Sequence, residues 1–319
     1  METGIEIQNI SKRYSTRIAV DGLSLNIREG EIFGFVGPNG AGKTTTIRMW
    51  CGLLKPDLGE VYIGGISVQR HPREIKRLIG YMPDEFGVYP DLLTWEYLDF
   101  FAACYGQNPI ERAGQIDNLL ELVDLQHRKF DQVDKLSRGM KQRLSLARVL
   151  MHDPQFLILD EPASGLDPRA RIEIRELLLE LAAMGKSIFF SSHILADVAE
   201  ICDRVGIIEA GKLVSAGRLE EMQLQLHQYR KINLILLGDL NPGNQPLFDI
   251  KGVSTIEEVP IKENKDGRKH YRFSFTGNDM ALSEILSTLI KNNIPVLHFS
   301  EEKSDLEEIF LRATKGQVT

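Results

Sequence analysis

The order of apolar and polar positions changes twice along the chain. Up to about residue 36 apolar residues alternate with polar ones, as at Ile5 and Ile7 and again at Leu23, Leu25 and Ile27. That is the period of half-buried strands. Ile32-Phe33-Gly34-Phe35-Val36 is instead a short continuous apolar run, the pattern of a strand buried on both faces. A glycine-rich turn follows, then a helical stretch from Lys43 to about Cys51. Pro56-Asp57-Leu58-Gly59 and Gly64-Gly65 bracket a further short strand, Val61 to Ile63. From Leu92 to Leu150 the spacing is three to four: Trp95, Leu98, Phe101 and Ala102, then Ile116, Leu119, Leu120 and Val123. Strand runs return at Phe156–Leu159, Ser187–Phe190 and Val205–Ile208, separated by helical segments over 168–183 and 194–202. Alternating strands and helices predict a parallel sheet covered by helices. Glu209-Ala210-Gly211-Lys212 predicts a tight turn into a last strand, Leu213 to Ala216.

After about residue 228 the pattern changes again. Strands are predicted at Ile232–Leu237, Val253–Ile261, His270–Phe275 and Val296–Ser300, and helices at Met280–Ile290 and from Ser304. Asn241, Pro242, Gly243 and Pro246 mark a loop. Asp266-Gly267, in the turn-rich run from Glu263, predicts a hairpin between the second and third of these strands. The expectation is an α/β domain over 1–227 and a small α+β domain over 228–319. A ferredoxin-like βαββαβ order is the leading arrangement for the second. Neither a phosphate loop nor metal-ligand spacing occurs there. Its charged residues, such as Glu257, Glu258, Lys262, Lys265 and Arg268, cluster at strand ends and a turn, the pattern of a solvated face.

Composition narrows the class. The 319 residues are 43% hydrophobic and 26% charged, the mix of a globular chain. Thirty-eight Lys and Arg against forty-five Asp and Glu give a formal charge of −7, with a pI near 5.6. A nucleic-acid binder relying on a broad basic surface is thereby disfavoured. Mean hydropathy is −0.16, and no apolar run approaches the roughly 18 residues of a spanning helix. Residues 1–10 lack a basic stretch followed by an apolar one, so no secretory signal is expected. Cys51, Cys104 and Cys202 are odd in number and widely spaced. They read as reduced thiols, and the expected compartment is the cytoplasm.

The chemistry is concentrated in two places. Gly37-Pro38-Asn39-Gly40-Ala41-Gly42-Lys43-Thr44 fits G-x-x-x-x-G-K-[ST] and lies between a predicted strand and a predicted helix. Its glycines let consecutive N–H groups turn around phosphate oxygens, and the helix start adds partial positive charge. Lys43 is placed to reach the β- and γ-phosphates, and the Thr44 hydroxyl to ligate Mg²⁺. Farther on, the apolar strand Phe156–Leu159 delivers Asp160 and Glu161 at its C-terminal end. That edge is where α/β sheets bind ligands. Asp160 is the expected metal-site carboxylate, and Glu161 the expected general base for an attacking water.

Leu136-Ser137-Arg138-Gly139-Met140 resembles the LSGGQ signature of ATP-binding-cassette (ABC) ATPases. The remaining motifs stand in that family's order: Tyr14, the P-loop at 37–44, Tyr81-Met82-Pro83-Asp84, the signature, Asp160-Glu161-Pro162, Ser164-Gly165-Leu166-Asp167 and His193. The similarity covers about residues 4–225. It implies a P-loop NTPase core with an antiparallel β subdomain and a helical subdomain inserted at about 85–150. It also implies an ATPase subunit that uses ATP and Mg²⁺, pairs with itself or a second ATPase subunit, and drives a separate membrane permease from the inner face of the cell membrane. No nucleic-acid partner is expected.

By the same resemblance Tyr14 stacks on adenine and Thr45 touches the α-phosphate. Ser137 and Gly139 contact the γ-phosphate held by the other subunit. Asp167 lies at the dimer seam, and His193 links the γ-phosphate to Glu161. The segment Phe86–Leu98, with Tyr89 and Trp95, falls where the family receives the permease; Trp95 reads equally well as core. Three positions depart from the family pattern. Arg138 replaces one glycine of the signature and Met140 its glutamine. Asp84, followed by Glu85, stands where a glutamine is expected, and is a second carboxylate able to approach Mg²⁺ or water. These departures and the added domain, which ends in Asp305-Leu306-Glu307-Glu308-Ile309-Phe310, resemble the drug-, polysaccharide- and lipid-exporting branch. The alternative is an ATPase of this family acting on ribosomes or DNA. Such members carry two cassettes, long coiled coils or zinc-binding cysteines, whereas this chain has one P-loop, no heptad run and no cysteine cluster.

Overall fold

The computed structural model describes residues 4–84, 87, 89–218, 221–222, 230–238, 251–260 and 267–301. They form two units that divide near residues 219–220, a few residues before the boundary expected from composition.

The first unit holds two sheets. One is antiparallel, in the order β2-β1-β4-β5, from β1 (Ile5–Tyr14), β2 (Arg17–Ile27), β4 (Leu58–Ile63) and β5 (Ile66–Ser67). Ile5 and Ile7 pair with Ile27 and Leu25 in β2 and with Ile63 and Val61 in β4. The alternation read along the sequence therefore becomes one buried face. The other sheet has six strands in the order β10-β9-β3-β8-β7-β6. They are β3 (Ile32–Val36), β6 (Ile79–Met82), β7 (Phe156–Asp160), β8 (Ser187–Ser192), β9 (Arg204–Glu209) and β10 (Lys212–Gly217). All neighbours are parallel except β10, which returns as a hairpin on β9. Every residue of β3, β7 and β8 is buried, as continuous apolar runs in a covered parallel sheet require.

Between the sheets lies α1 (Lys43–Trp50). Its Trp50 meets Phe189 edge-on at 4.3 Å between ring centres, and Phe189 also contacts Phe35 at 5.6 Å and Phe33 at 5.9 Å. These rings join both sheets and α1 into one core. Between β6 and β7 the chain builds α3 (Thr94–Cys104), α4 (Pro109–Leu122) and α5 (Arg138–Leu150). Predicted as one helical zone, this region breaks where caps intervene. Asn108 accepts from Ile110 N ahead of Pro109 at the start of α4, and Ser137 accepts from Met140 N at the start of α5. Two further helices, α6 (Pro168–Ala183) and α7 (Leu195–Ile201), match the predicted segments within a residue.

Three strands or α-helices were not foreseen: the two-residue β5, the seven-residue α2 (Pro72–Leu78) and the four-residue β6. Each is too short for a periodicity, and β6 carries Gly80 where Val149, Pro154 and Leu157 leave no room for a side chain. The three cysteines are free, and burial raises the Cys51 and Cys202 thiols well above their ordinary values.

The second unit contains β11 (Arg230–Leu237), β12 (Val253–Val259), β13 (Arg268–Phe275), α8 (Asp279–Lys291) and β14 (Val296–Glu301). The sheet runs β12-β13-β11-β14 with every neighbour antiparallel. Counted within the unit this is 2-3-1-4, the strand order of a ferredoxin-like βαββαβ fold. Ile232, Leu234, Leu236, Phe273 and Phe275 on one face of the sheet pack with Ile285 and Leu289 of α8. β12 stops at Val259 because Pro260 cannot donate to a ladder. The loop at 241–246, Ile261, the turn residues 263–266 with Lys262 and Lys265, and the helix from Ser304 with Phe310 lie outside the described residues. So do Glu85 and Phe86.

Phe189→Ala removes the ring shared by Phe33, Phe35 and Trp50 and should destabilise the first unit by about 3–5 kcal/mol. In a calorimetric scan the transition of this unit should fall, while the melting of the Phe273–Ile285 core stays where it was.

Candidate functional site

The loops after β3, β7 and β8 leave the same edge of the parallel sheet and bring three motifs together. The first is the P-loop. A side chain at Gly37 would come within 2.4 Å of Ile208 O. Gly42 sits at φ +106°, with its missing Cβ 2.4 Å from Ala19 O. Only glycine lets the loop lie this close to β9 and β2. Gly42 is also the cap of α1 and brings no side chain to the helix start. The α-helical ladder begins with Thr46 N donating to Gly42 O. The N–H groups of Lys43, Thr44 and Thr45 therefore have no acceptor within the helix, an arrangement suited to an anion.

Lys43 is buried. Its Nζ donates to Gly37 O at 2.7 Å and Pro38 O at 3.3 Å, and lies 3.3 Å from Glu161 Oε1. The other Glu161 oxygen, Oε2, is 2.7 Å from His193 Nδ1 and accepts from His193 N at 3.4 Å. Glu161 therefore bridges the P-loop lysine and the histidine beyond β8. It does so from a left-handed backbone, φ +53°, which a non-glycine residue adopts at a cost of about 1–3 kcal/mol. Ser191 holds that geometry: its Oγ accepts from Glu161 N at 3.0 Å and donates to Asp160 Oδ1 at 2.7 Å.

Asp160 is fully buried, and its second oxygen, Oδ2, accepts no hydrogen bond. Burial is the main cause that raises its carboxyl above the ordinary value; the Ser191 and Thr44 hydroxyls oppose it, Glu161 adds to it and Lys43 opposes it. A buried carboxylate oxygen lacking a donor, with the Thr44 hydroxyl beside it, fits a divalent cation. No cluster of three or more His, Cys, Asp or Glu able to hold a metal occurs among the described residues. That donor set suits Mg²⁺, which is held by one or two protein groups together with substrate phosphates.

The cleft around these groups measures about 520 Å³. Of the predicted residues, Tyr14, Asn39, Gly40, Gly42, Lys43, Thr44, Thr45, Asp84, Glu161 and His193 line it. Gly37 and Pro38 act from behind through their carbonyls, and Ala41 is buried, donating to Pro38 O and accepting from Gly211 N. Tyr14, at the end of β1, is half exposed at the mouth. Two lining residues escaped the sequence reading, Arg17 and Ala19, and a third, Ser164, was read only as part of the motif at 164–167. Arg17 pairs with Tyr14 across the β1–β2 turn, and its Nη2 donates to Gly40 O at 3.0 Å. Its place three residues after Tyr14, across a two-residue turn, was the available signal.

The signature is elsewhere. Ser137, Arg138, Gly139 and Met140 line a second cleft of about 210 Å³ together with Gly165, Leu166 and Asp167. Leu136 is buried behind it. Ser137 caps α5, and Asp167 caps α6 by accepting from Arg169 N and Ala170 N at 3.0 Å. The Arg138 guanidinium lies against Gly165, where a Cβ would come within 2.5 Å of it. The two clefts share no lining residue. One loop joins them: Ser164 faces the first, Gly165 to Asp167 the second.

The ABC transporter family profile matches residues 20–164. The chain is 36% identical over 320 residues to the bacitracin transport ATP-binding protein BcrA of Bacillus licheniformis, covering 99% of each chain. It is 32% identical to the linearmycin resistance ATP-binding protein LnrL of Bacillus subtilis, over 97% of this chain and 98% of that one. It is 39% identical to a Nod factor export ATP-binding protein I of Burkholderia pseudomallei, over 98% of both. Among solved structures, an ATP-binding subunit of an ABC transporter matches 70% of this chain and 93% of its own at 31% identity and a TM-score of 0.63. A dimeric post-hydrolysis ATP-binding cassette bound to ADP and Pi matches 67% of this chain and 98% of its own, at 26% identity and a TM-score of 0.62.

Because the Asp160 carboxyl is raised in the fold, its ionised form costs stability. The cost sets in as pH climbs from the ordinary carboxylate value and is complete once pH has passed the raised one. Asp160→Asn should therefore raise the melting point of the nucleotide-free protein at neutral pH, by about 2–4 °C for each kcal/mol recovered. The same variant should lose the extra stabilisation that Mg²⁺ adds to ATP. Thermal shift assays with ATP alone and with Mg·ATP check both effects.

Proposed function

The chain belongs to the ATP-binding subunits of ABC transporters, and from that premise we propose that it is the Mg²⁺-dependent ATPase of an exporter. Two copies, or one copy and a related subunit, enclose two ATP molecules and drive a separate membrane permease. The observation that carries the reading is Glu161, held between Lys43 and His193 at the floor of the P-loop cleft.

ATP enters with its adenine against Tyr14 and its phosphates among the N–H groups of the α1 start. Asn39 and Gly40 border the phosphates, and Thr45 reaches the α-phosphate. Lys43 exchanges Glu161 and the Gly37 and Pro38 carbonyls for the β- and γ-phosphates. That exchange frees one oxygen of Glu161 to accept a proton from the attacking water. His193 keeps Glu161 oriented through Nδ1 and turns its other nitrogen to the γ-phosphate. Thr44 and Asp160 would hold Mg²⁺, which would offset negative charge on the phosphates, with Asp84 facing the same space.

The second cleft, which cannot act on this chain's own phosphates, receives the γ-phosphate of ATP bound to the partner. Ser137 and Gly139 lie at the α5 N-terminus for this contact, and Asp167 at the seam. No helix among the described residues is long and apolar enough to cross a membrane. The permease supplies that element and keeps the subunit on the inner face of the membrane. Tyr89 and Phe100, exposed and edge-on to each other at 5.4 Å, offer it an aromatic docking point. Export follows the names of the relatives, which concern bacitracin transport, linearmycin resistance and Nod factor export. These relatives match the chain nearly end to end, and for that reason transport is preferred to action on ribosomes or DNA. The unit after residue 228 pairs or regulates subunits.

Glu161→Gln tests the reading. Turnover should fall by about 10²–10⁴, as loss of a general base typically gives. Binding of Mg·ATP should survive, since Lys43 loses a competing carboxylate, and an ATP-bound dimer should accumulate on gel filtration. Near-normal hydrolysis would place the base elsewhere, with Asp84 the first residue to examine.

A chain ending near residue 229 tests the second unit. It should bind ATP with an affinity close to that of the full chain, and differ in dimerisation or permease-coupled rate. Outright loss of ATP binding in a folded, soluble truncation would assign the unit to the nucleotide site instead.

A further inference from the structure

His193 is followed at once by α7, whose seven residues have no capping side chain at their start. Its backbone entry is shaped by Ser192, whose Oγ accepts from Ile194 N at 2.9 Å. The helix itself is held from α6. Arg175 Nη1 lies 3.3 Å from Asp197 Oδ1 and 2.8 Å from Glu200 Oε2. Asp197 and Glu200 stand three residues apart and so share one face of α7. Asp197 is 4% exposed, and its Oδ2 accepts no hydrogen bond; the Arg175 guanidinium is the largest of the positive charges that offset this burial, ahead of Arg171 and His193. On its other side α7 presses on β3 so closely that a Cβ at Gly34 would fall 2.3 Å from Val198 Cγ1. Pressed against β3 and tied by Arg175, α7 is poised to follow α6.

The far end of α6 is in the second cleft. Its cap is Asp167, and Arg175 lies eight residues on, about 12 Å along the same helix. A single element, α6, therefore runs from the cleft that holds Asp167 to the helix that begins two residues after His193. Neither Arg175 nor Asp197 lines the nucleotide cleft.

We propose that Arg175, through Asp197 and Glu200, is a positioning residue that makes the placement of His193 on Glu161 depend on occupancy of the second cleft. The inference rests on the two-site dimer reading above and adds the link by which one site senses the other. A nucleotide presented by the partner against Asp167 shifts or steadies α6, Arg175 carries α7 with it, and His193 follows. Such a link is a coupling between two sites, and its loss appears in cooperativity and turnover rather than in intrinsic affinity.

The test uses the full chain, with Arg175→Gln, Asp197→Asn, their double variant and Glu200→Gln. The last alters a carboxylate that is more than half exposed and so spares the fold. Folding is checked by circular dichroism and melting, and affinity by titration with a non-hydrolysable ATP analogue at concentrations where the chain is monomeric. Wild-type hydrolysis against ATP should be sigmoidal. In Arg175→Gln and Asp197→Asn the Hill coefficient should fall towards 1 and kcat should drop at least tenfold, with analogue affinity within twofold of wild type. Glu200→Gln should lie between. The double variant should be no worse than either single one, because both break the same link.

A purely structural ion pair would lower the melting point and leave the Hill coefficient alone. Folded variants with a wild-type Hill coefficient, or additive losses in the double variant, would overturn the link while leaving the dimer reading intact. A hyperbolic wild type would remove the dimer reading, and the link with it.

Discussion

The Lys43–Glu161 ion pair is the interaction on which the site is organised. It joins the loop after β3 to the loop after β7, and through His193 it reaches the loop after β8. These strands lie adjacent in the order β3-β8-β7, so one chain of contacts crosses the middle of the parallel sheet at its ligand-binding edge. Both partners are nearly removed from solvent, where an ion pair survives only if its remaining polar atoms are also engaged. Here they are. Gly37 O and Pro38 O take the lysine, and His193 takes the second carboxylate oxygen. The pair is also displaceable, because a phosphate offers Lys43 more negative charge than one carboxylate does. A contact that holds the ligand-free site in order is thereby the first to yield to the ligand.

Asp160 and Glu161, neighbours in sequence, are set to different tasks by their surroundings. Asp160 ends a fully buried strand with one oxygen on Ser191 and the other without a hydrogen bond. Glu161, one residue on, has turned out of the strand and meets two basic side chains in the cleft. The serine between them touches both, as acceptor for one and donor to the other. A backbone turn and one hydroxyl thus suffice to give two neighbouring carboxylates different surroundings.

Much of this arrangement was legible in the sequence because its determinants are local. The P-loop glycines, the apolar run ending in Asp160-Glu161, the span of α6, and the strands of the 2-3-1-4 sheet all announce themselves by residue type and spacing. What stayed hidden depends on contacts distant in sequence. β6 is a strand only because β7 pairs with it, seventy-odd residues later. Arg17 joins the cleft because a register places it opposite Tyr14, and Ser164 because a single loop serves two clefts. The order of the small sheet was expected only by analogy with a ferredoxin-like fold, since alternation says which face a strand buries but not which strand lies beside it.

The left-handed backbone at Glu161 bears on what another residue at this position would gain and lose. Glycine and asparagine adopt that conformation with less penalty than glutamate. What glutamate contributes in return is the carboxylate that meets Lys43 and His193. Asparagine or glycine there would relieve the backbone but leave the buried Lys43 facing no carboxylate, and the second cost is the larger. A chain carrying either residue beside an intact P-loop would therefore lean on a bound phosphate to keep its lysine in place.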